Sequence, residues 1–400
     1  MAVSIRGTRR KEIKMRLIHT SDWHFGKRLL GTDLLPLQAS FCDWFVELVR
    51  DEKIECVMVS GDIYDRADPK DDAVDLLDDV LNRIRGAGAS IVAISGNHDS
   101  AERLHFGTRF MSSSGLHIRT ERREIKDIAA PLTIKGRDGT EVEILPIPYL
   151  DPTRVAMAER SVPNHESVLK AVIQNQISQL KNPSRAIAMA HAFVVGGKES
   201  ESERKLTVGG TGSVSSGLFK DFGYVALGHL HRPQKLGDGR LVYSGTPMPY
   251  SFSEEPKKDE DKKSVRVINV ERDSLTSIAV PCTNFRDVVT LEGSLEDIMS
   301  AAKYSKYEDF FVRVRLTDAG RQIGVMDRLR RRFPHTLELV PRQSDQQKLL
   351  DSVRLKEMAR RGHEEVVREY ISETFTQGLD DFQESLINEA LAVVPNGDAS

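Results

Sequence analysis

Cysteine is scarce in this chain of 400 residues, and its scarcity argues against a fold held by disulfides. Only Cys42, Cys56 and Cys282 occur, and they lack the paired spacing of a zinc site. Thiols of this kind are typical of the reduced cytoplasm, where we expect the protein to act. Long apolar runs are missing too, since no stretch approaches the roughly 18 residues of a membrane span. The sequence therefore predicts no membrane partner.

An excess of either charge is also missing, because the net charge is only −3. There is thus no bulk attraction to nucleic acid, and any contact with phosphates must come from local basic patches or from a partner. One basic run, Arg328 to Arg332, is interpreted as a solvated helix face. The Walker A pattern Gly-x-x-x-x-Gly-Lys-Ser/Thr does not occur, so any dependence on ATP requires another subunit. Length and a hydrophobic content of 39% indicate an ordinary globular protein of two or three domains.

Five short apolar runs are present, and each stops at an Asp, Asn or His. A run of four to six apolar residues, partly β-branched, is typical of a strand buried on both faces. Loops beyond the carboxyl ends of such strands form the ligand crevice of α/β sheets, so these polar groups are expected to converge. The runs and the polar residues that follow them are Leu17–His24, Val57–Asp62, Ile91–His98, Ile187–His191 and Val225–His231.

The polar residues at these strand ends form a candidate metal-ligand set. Asp22 and His24 are two residues apart and so face one side of an extended segment, and a second such pair follows the fifth run. Mixed carboxylate, amide and imidazole ligands suit Mn²⁺ or Fe²⁺. Seven ligands are too many for one ion that keeps water, so we predict two ions that share Asp62. The set is Asp22, His24, Asp62, Asn97, His191, His229 and His231, whereas His19, His105 and His117 are interpreted as structural.

Helical spacing of apolar residues separates the first three strands. Helices are predicted over 34–49 and 74–84, the second ending near Gly86, where a positive φ is expected. This alternation predicts a parallel sheet. A hairpin is predicted around 137–139, and a helix over 168–180. Two polar stretches are predicted as loops, a mobile one at Gly196–Gly212 beside the site and a solvated one at Ser253–Ser264 without chemistry.

The rest of the chain predicts a second unit and a helical end. Residues 284–342 have the pattern of a small α/β domain. Residues 343–394 carry two amphipathic helices, which either pack on their own domain or dock on a partner. Residues 1–14 and 395–400 are predicted to be disordered, and Met15 is an alternative start.

These motifs resemble the calcineurin-like metallophosphoesterase superfamily and, in finer detail, its double-strand-break repair nucleases of the SbcD type. The match to the superfamily comprises Asp22-Trp23-His24, Gly61 to Arg66, Gly96-Asn97-His98-Asp99, His191 and Gly228-His229-Leu230-His231, in the family's order. The finer resemblance is carried by His19 to Gly26, Gly96 to Ser100, Gly228 to Pro233 and Tyr243 to Phe252. The resemblance implies an α/β fold, a β-sandwich flanked by helices, over 15–283. It also implies that 284–342 is a capping domain and that 343–394 binds an SbcC-type coiled-coil ATPase.

The resemblance also implies a role for each site residue. One ion would be bound by Asp22, His24, Asp62 and His231, and the other by Asp62, Asn97, His191 and His229. The ions are expected to be Mn²⁺, with Mg²⁺ or Fe²⁺ as alternatives. His98 would contact the scissile phosphate as the catalytic residue. Asp65 stands where some relatives carry His, and Asp65 and Asp99 are expected to orient neighbours, as imidazoles that bind metals usually require a carboxylate or carbonyl partner.

The implied function is a manganese-dependent DNA nuclease, an exonuclease on duplex ends and an endonuclease on hairpins and single strands, within a repair, replication and recombination complex. A phosphatase or a cyclic-nucleotide phosphodiesterase of the same fold is the alternative. A DNA-end tether that mainly holds the ATPase is a third interpretation. A homodimer within a heterotetramer is expected, with the helix over 34–49 as one candidate surface, although its apolar stripe could equally be core.

Overall fold

The computed structural model describes residues 13–155, 163–203, 212–318, 324–340 and 383–386. The strands are β1 (Met15–Thr20), β2 (Arg28–Leu29), β3 (Thr32–Asp33), β4 (Cys56–Ser60), β5 (Ser90–Ile94), β6 (Leu116–Arg119), β7 (Leu132–Lys135), β8 (Glu141–Ile147), β9 (Ile187–His191), β10 (Phe193–Val194), β11 (Ser213–Val214), β12 (Tyr224–Gly228), β13 (Gln234–Leu236), β14 (Leu241–Tyr243), β15 (Ser264–Val270), β16 (Leu275–Pro281), β17 (Val288–Gly293), β18 (Phe311–Leu316) and β19 (Thr336–Val340). The helices are α1 (Leu35–Asp51), α2 (Asp71–Gly86), α3 (Ala101–His105), α4 (Thr108–Ser113), α5 (His165–Gln176), α6 (Leu295–Ser300) and α7 (Val325–Arg332).

The first sheet has six strands in the order β16-β15-β1-β4-β5-β6. Strands β1, β4 and β5 are parallel neighbours, with Ile18 opposite Val57 and Val57 opposite Ile91. Since β4 lies between β1 and β5, Asp62 follows the middle strand of these three. The carboxyl ends of these three strands therefore meet at one edge of the sheet.

The second sheet also has six strands, in the order β13-β14-β12-β9-β8-β7. Its central strands β9 and β12 are parallel, and their register places His191 opposite Gly228. The hairpin predicted around 137–139 is confirmed, because β7 and β8 pair antiparallel on either side of it. The five apolar runs of the sequence thus divide between two sheets, three in the first and two in the second.

The two sheets pack face to face, with helices on their outer faces. Apolar side chains from both sheets, including Met58 and Met189, share one buried cluster. Helices α1 and α2 cover the outer face of the first sheet, and α5 covers the second. This α/β sandwich flanked by helices is the fold that the family resemblance implied. None of the helices in the described ranges is long and apolar enough to cross a bilayer.

Two local expectations are corrected. The apolar stripe of α1 is core, because Phe41, Phe45 and Val49 are fully buried against the first sheet. That stripe therefore is not a dimer surface. Helix α2 ends at Gly86 as predicted, but the positive φ falls two residues later, at Gly88, where it is 87°. Glycine is preferred there because a side chain is rarely tolerated in left-handed backbone.

A third, smaller sheet follows the sandwich. It has the order β17-β18-β19, its strands are parallel, and α6 and α7 contribute Ile298 and Leu329 to its core. The predicted α/β unit is therefore present, and its boundaries at 284 and 342 stay a prediction. Of the predicted tails at 1–14 and 395–400 and the helical segment at 343–394, only 13–14 and 383–386 lie within the described residues.

Candidate metal centre

Three loops of the first sheet carry candidate ligands to the same edge. The loop after β1 carries Asp22 and His24, the loop after β4 carries Asp62, and the loop after β5 carries Asn97 and His98. The first two loops run side by side, because the amide of Asp22 donates to the carbonyl of Gly61 at 3.0 Å, and the amide of His24 donates to that of Asp62 at 3.0 Å. Sheet pairing thus continues beyond the strands into the site.

Asp99 fastens the loops after β4 and β5 to each other. Its carboxylate accepts hydrogen bonds from the amides of Ile63 at 3.1 Å, Tyr64 at 2.9 Å and Gly96 at 2.8 Å. Burial raises the pKa of Asp99 to about 6, and nearby Asp62 adds to the rise. Asp99 thus contacts its neighbours through their backbone amides rather than through an imidazole. It positions the loops instead.

Backbone strain is concentrated at the site. Four candidate ligands have positive φ values, 53° at Asp22, 45° at His24, 49° at Asp62 and 100° at His229. Non-glycine residues rarely occupy this region, and such strain persists only where the surroundings enforce it. The sandwich around the site supplies that enforcement.

Close approach of the backbone explains the glycine of the Gly-Asn-His motif. A Cβ atom placed on Gly96 would overlap Oδ1 of Asp62. Gly228 is confined in the same way, since a Cβ there would overlap the carbonyl oxygen of Ser60. These two glycines therefore allow the strand ends of both sheets to meet.

One half of the cluster is built around two facing imidazoles. Nε2 of His24 lies 3.2 Å from Nε2 of His231 and 3.6 Å from Oδ2 of Asp62. Asp22, His24 and His231 each present a ligand atom within 4.8 Å of the others. All of these side chains are buried.

The other half is built around the amide of Asn97. Its Oδ1 lies 2.9 Å from Nε2 of His191 and 3.2 Å from Nδ1 of His229. Nε2 of His191 is also 3.4 Å from Oδ2 of Asp62. Asp62 therefore faces both halves, and the structure brings together all seven side chains of the candidate set.

Hydrogen bonds to carbonyl groups orient two of the imidazoles. Nδ1 of His191 donates to the carbonyl of Ser60 at 2.9 Å, which leaves Nε2 facing the cluster. Nδ1 of His98 donates to the carbonyl of Asp65 at 2.8 Å, and the His98 ring packs edge-on against that of His24, with centroids 4.8 Å apart. The backbone of Asp65 thus orients His98. The side chain of Asp65 lies 2.8 Å from Nζ of Lys27 and 3.6 Å from Nδ1 of His24.

The electrostatics of the cluster favour positive charge. Burial alone would raise the pKa of Asp62, but neighbouring imidazoles, His191 first, hold that pKa well below its usual range. Burial alone would lower the pKa of His191, but Asp62 and Asp22 outweigh it and raise that pKa to about 9. Burial lowers the pKa of His24 and of His229, so both are neutral and keep a lone pair.

The donor atoms fit a pair of divalent cations. Lone pairs of neutral imidazoles, two carboxylates and an amide oxygen come together in the cluster. Two imidazole nitrogens 3.2 Å apart gain most when a cation lies beside both. This mixture of nitrogen and oxygen donors suits Mn²⁺ or Fe²⁺ better than structural zinc.

Sequence reasoning missed Glu254, which lies in the stretch predicted to be solvated and without chemistry. Glu254 is buried and forms an ion pair with buried Lys263. Its Oε1 accepts from Oγ of Ser202 at 2.5 Å, and that hydroxyl accepts from Nδ1 of His231 at 2.6 Å. This chain of hydrogen bonds leaves Nε2 of His231 facing His24. The rule that a metal-binding imidazole requires a carboxylate behind it would have pointed here.

The loop predicted over Gly196–Gly212 lies beside the site, since Ser202 and Glu203 both contact His231. Residues 204–211 of that loop lie outside the described ones. Among the histidines interpreted as structural, His19 is fully buried between the sheets, and its Nε2 donates to the carbonyl of Leu227 at 3.2 Å. His19 lies apart from the cluster that holds the candidate ligands.

Two family models match the chain. Residues 15–233 match the model of the calcineurin-like phosphoesterases. Residues 284–375 match the SbcD_C model, whose description is the type 5 capsule protein repressor C-terminal domain. The first match covers the sandwich from β1 to the residue before β13, and the second covers the part of the chain that begins with the third sheet.

Several solved structures are similar to this chain. The protein TT1561 of Thermus thermophilus is 11% identical, covers 66% of this chain and 98% of its own, and has a TM-score of 0.38. A dimetal phosphatase from Danio rerio is 14% identical, with coverages of 68% and 97% and a TM-score of 0.43. GAP50, the anchor in the inner membrane complex of Plasmodium, is 10% identical, with coverages of 83% and 98% and a TM-score of 0.37.

Proposed function

We propose that this chain, which belongs to the calcineurin-like phosphoesterase family, is a two-metal DNA nuclease of the SbcD type. The observation that carries the proposal is the convergence of seven ligand groups, six of them buried, from both sheets around Asp62. One ion would be held by Asp22, His24, Asp62 and His231, and the other by Asp62, Asn97, His191 and His229. We propose Mn²⁺ for both.

The chemistry that such a pair of ions supplies is activation of water and neutralisation of charge on the attacked phosphate. The residues of this chain do the rest. The pKa shifts of the cluster keep His24 and His229 neutral and Asp62 ionised, which are the states that bind cations. No covalent intermediate on the protein is required, because none of the described groups stands in a nucleophile motif.

His98 is the candidate catalytic residue. Its amide donates to Oδ1 of Asp62 at 2.9 Å, and its Nδ1 donates to the carbonyl of Asp65, so the backbone and the ring are both held. The other ring nitrogen is left to contact a phosphate oxygen or to give a proton to the leaving 3′ oxygen. His98 is only partly buried, which leaves it accessible to a substrate.

DNA is favoured over a small ester by the rest of the chain. The SbcD_C match extends over 284–375, beyond the residues that form the cluster. A small ester requires little more than the metals, whereas a polymer requires surface to hold it. The experiment compares end-labelled duplex DNA, hairpin DNA, a phosphopeptide and cyclic AMP with Mn²⁺. Cleavage of the DNA substrates supports the nuclease, and activity confined to the phosphopeptide or cyclic AMP would leave the phosphatase alternative.

Partners follow from the same resemblance. An SbcC-type coiled-coil ATPase is proposed to bind residues 343–394, of which the structure describes only 383–386. The absence of a Walker A pattern from the sequence agrees with an ATPase on another subunit. A complex that acts on DNA would work at the nucleoid, in the cytoplasm. Purified chain mixed with such an ATPase, with and without 343–394, tests the contact.

A second copy of the chain is proposed to bind at α3 and α4. Phe106 and Phe110 are 83% and 86% exposed and lie four residues apart around the start of α4. Two exposed aromatic rings at this spacing form an apolar patch of the kind that marks interaction sites. This patch replaces α1 as the candidate homodimer surface.

A further inference from the structure

A groove of about 810 Å³ opens one residue beyond His231, between the edges of the two sheets. Its walls include β13, which ends the second sheet, and β16, which ends the first. The loop after β10 is fastened along β13, since the amide of Lys198 donates to Oε1 of Gln234 at 2.9 Å and Nε2 of Gln234 donates back to the carbonyl of Lys198 at 3.0 Å. The groove is therefore part of the fold, and Arg232 in its wall directly follows the candidate ligand His231 in the chain.

The acidic residues that line the groove are already partnered. Glu260 pairs with Lys258 at 3.1 Å and Asp259 pairs with Lys262 at 2.8 Å. Asp261 accepts from the amides of Lys257 and Lys258 at 3.2 and 3.1 Å.

The remaining charges in the groove are positive. The positive side chains that remain are Lys198, Arg232, Lys235, Lys257 and Arg266. Within the described ranges, no carboxylate forms an ion pair with any of these five.

Arg266 is the unusual member of this set. It is 7% exposed, its Nε atom has no hydrogen-bond partner among the described residues, and it lines the groove from β15. Its buried neighbours are Tyr224 and His19, which carry no negative charge to offset it. A guanidinium taken out of water is unfavourable unless an anion or a set of acceptors reaches it. The surroundings of the Arg266 guanidinium therefore favour an anionic ligand in the groove.

We propose that this groove binds the phosphodiester backbone of a single DNA strand that leaves the metal centre, with Arg266 contacting one phosphate at its base. The proposal rests on the proposed nuclease function and adds where the strand runs. Arg232 follows His231 directly, so a strand whose scissile phosphate lies at the cluster passes Arg232 before it enters the groove. Packed sheets lie roughly 10 Å apart, which is narrower than a duplex and favours one strand. A guanidinium suits a phosphate because its donors can bind two oxygens at once.

The test measures binding and chemistry separately in the full chain. Binding of a labelled single-stranded oligonucleotide is followed by fluorescence anisotropy in EDTA over a range of KCl concentrations. The variants are Arg266→Met and the exposed double variant Lys235→Gln/Lys257→Gln. A matched control, Lys170→Gln/Lys220→Gln, removes two exposed lysines elsewhere on the sandwich. Hydrolysis of bis(p-nitrophenyl) phosphate with Mn²⁺ reports on the metal centre alone.

We expect each groove variant to bind the oligonucleotide about tenfold more weakly than wild type, while the control and the small-ester activity stay unchanged. The slope of log K against log salt should fall in magnitude by about 1.4 in the double variant, because each single-strand phosphate contact contributes about 0.7. The double variant lies on the surface and keeps the test valid if Arg266→Met unfolds.

Groove variants that bind the oligonucleotide as the control does would overturn the proposal. The proposal would also fail if the groove variants lost only their binding of deoxyadenosine monophosphate, because the groove would then be a site for a free nucleotide. Failure of the nuclease function has a different signature, in which wild type neither binds nor cuts DNA yet still hydrolyses the small ester.

Discussion

The imidazoles of His24 and His231 face each other with their Nε2 atoms 3.2 Å apart, although 207 residues separate them in the chain. Each comes from a different sheet, and within the described ranges no carboxylate lies at normal hydrogen-bonding distance from either Nε2. This relationship is what a shared cation would stabilise.

Removal of the shared carboxylate should abolish stabilisation by metal. Mn²⁺ at 100 times its dissociation constant should stabilise wild type by about 2.7 kcal/mol, seen as a higher midpoint of thermal unfolding. Asp62→Asn removes the group that faces both halves, so its midpoint should not respond to Mn²⁺. His105→Ala, a histidine outside the cluster, serves as the control. An Asp62→Asn protein with the wild-type response would remove Asp62 from the ligand set.

Removal of the candidate catalytic imidazole should separate binding from turnover. His98→Ala should keep the Mn²⁺-dependent rise of the unfolding midpoint but lose about 10²–10⁴ in turnover of a phosphodiester, which is the usual contribution of general acid–base catalysis. Turnover is measured with bis(p-nitrophenyl) phosphate and with duplex DNA. Wild-type rates in this variant would show that the ring takes no part in the reaction.

Breaking the buried ion pair behind His231 should destabilise the fold. Glu254→Gln leaves Lys263 buried and unpaired, so the free energy of unfolding should fall by about 3–5 kcal/mol in urea. Glu260→Gln, on the same loop but exposed, should have no measurable effect. If Glu254→Gln matches that control, the pair contributes nothing to stability.

The same pair predicts a dependence of stability on pH. Burial alone would raise the pKa of Glu254, but Lys263 and His231 outweigh it and hold that pKa well below its ordinary value of 4.5. A carboxylate whose pKa is lower in the folded than in the unfolded protein stabilises the fold at pH values above its unfolded-state pKa. This stabilisation is lost as the pH falls through its folded-state pKa. The difference in unfolding free energy between wild type and Glu254→Gln should be constant above about pH 5.5 and shrink below about 4.5. A difference that grows on acidification contradicts this sign.

Loss of the exposed aromatic patch should dissociate the proposed dimer. Phe106→Ser/Phe110→Ser should sediment as a monomer at concentrations where wild type is a dimer, because an apolar patch of this kind drives association. Val195→Ser, another exposed apolar side chain, should sediment as wild type does. A monomeric wild type, or a dimer in the double variant, would place the interface elsewhere or exclude it.

The strand ends could be predicted from the sequence because two local signals coincide there. An apolar run such as Val57–Ser60 marks a buried strand, and a polar residue directly after it marks the edge where strands end. Parallel topology then brings Asp22, Asp62 and Asn97 together without further information. Division between two sheets is not encoded in that local pattern, since Ile187–His191 has the same appearance as the strands of the first sheet.

What the sequence could not predict depends on tertiary surroundings. The run from Ser253 to Ser264 has the composition of a surface loop, yet Glu254 and Lys263 at its ends are buried because each neutralises the other. The apolar stripe of α1 and the rings of Phe106 and Phe110 are equally apolar in sequence. Only the packing shows that the first sheet covers the stripe of α1 and that the two rings are exposed. The sequence predicts Asp99 near the site. That its carboxylate accepts hydrogen bonds from amides rather than from imidazoles depends on loop geometry.

The close contact of Gly228 with Ser60 joins the two sheets at the point where the ligands converge. Asp62 and His191 therefore reach their positions only when the halves of the sandwich have docked. An ion held by both would bridge the halves, and its release and the separation of the sheets would be thermodynamically linked. The affinity for the ion would therefore depend on whether the two sheets have docked. A chelator would destabilise the whole sandwich rather than one loop.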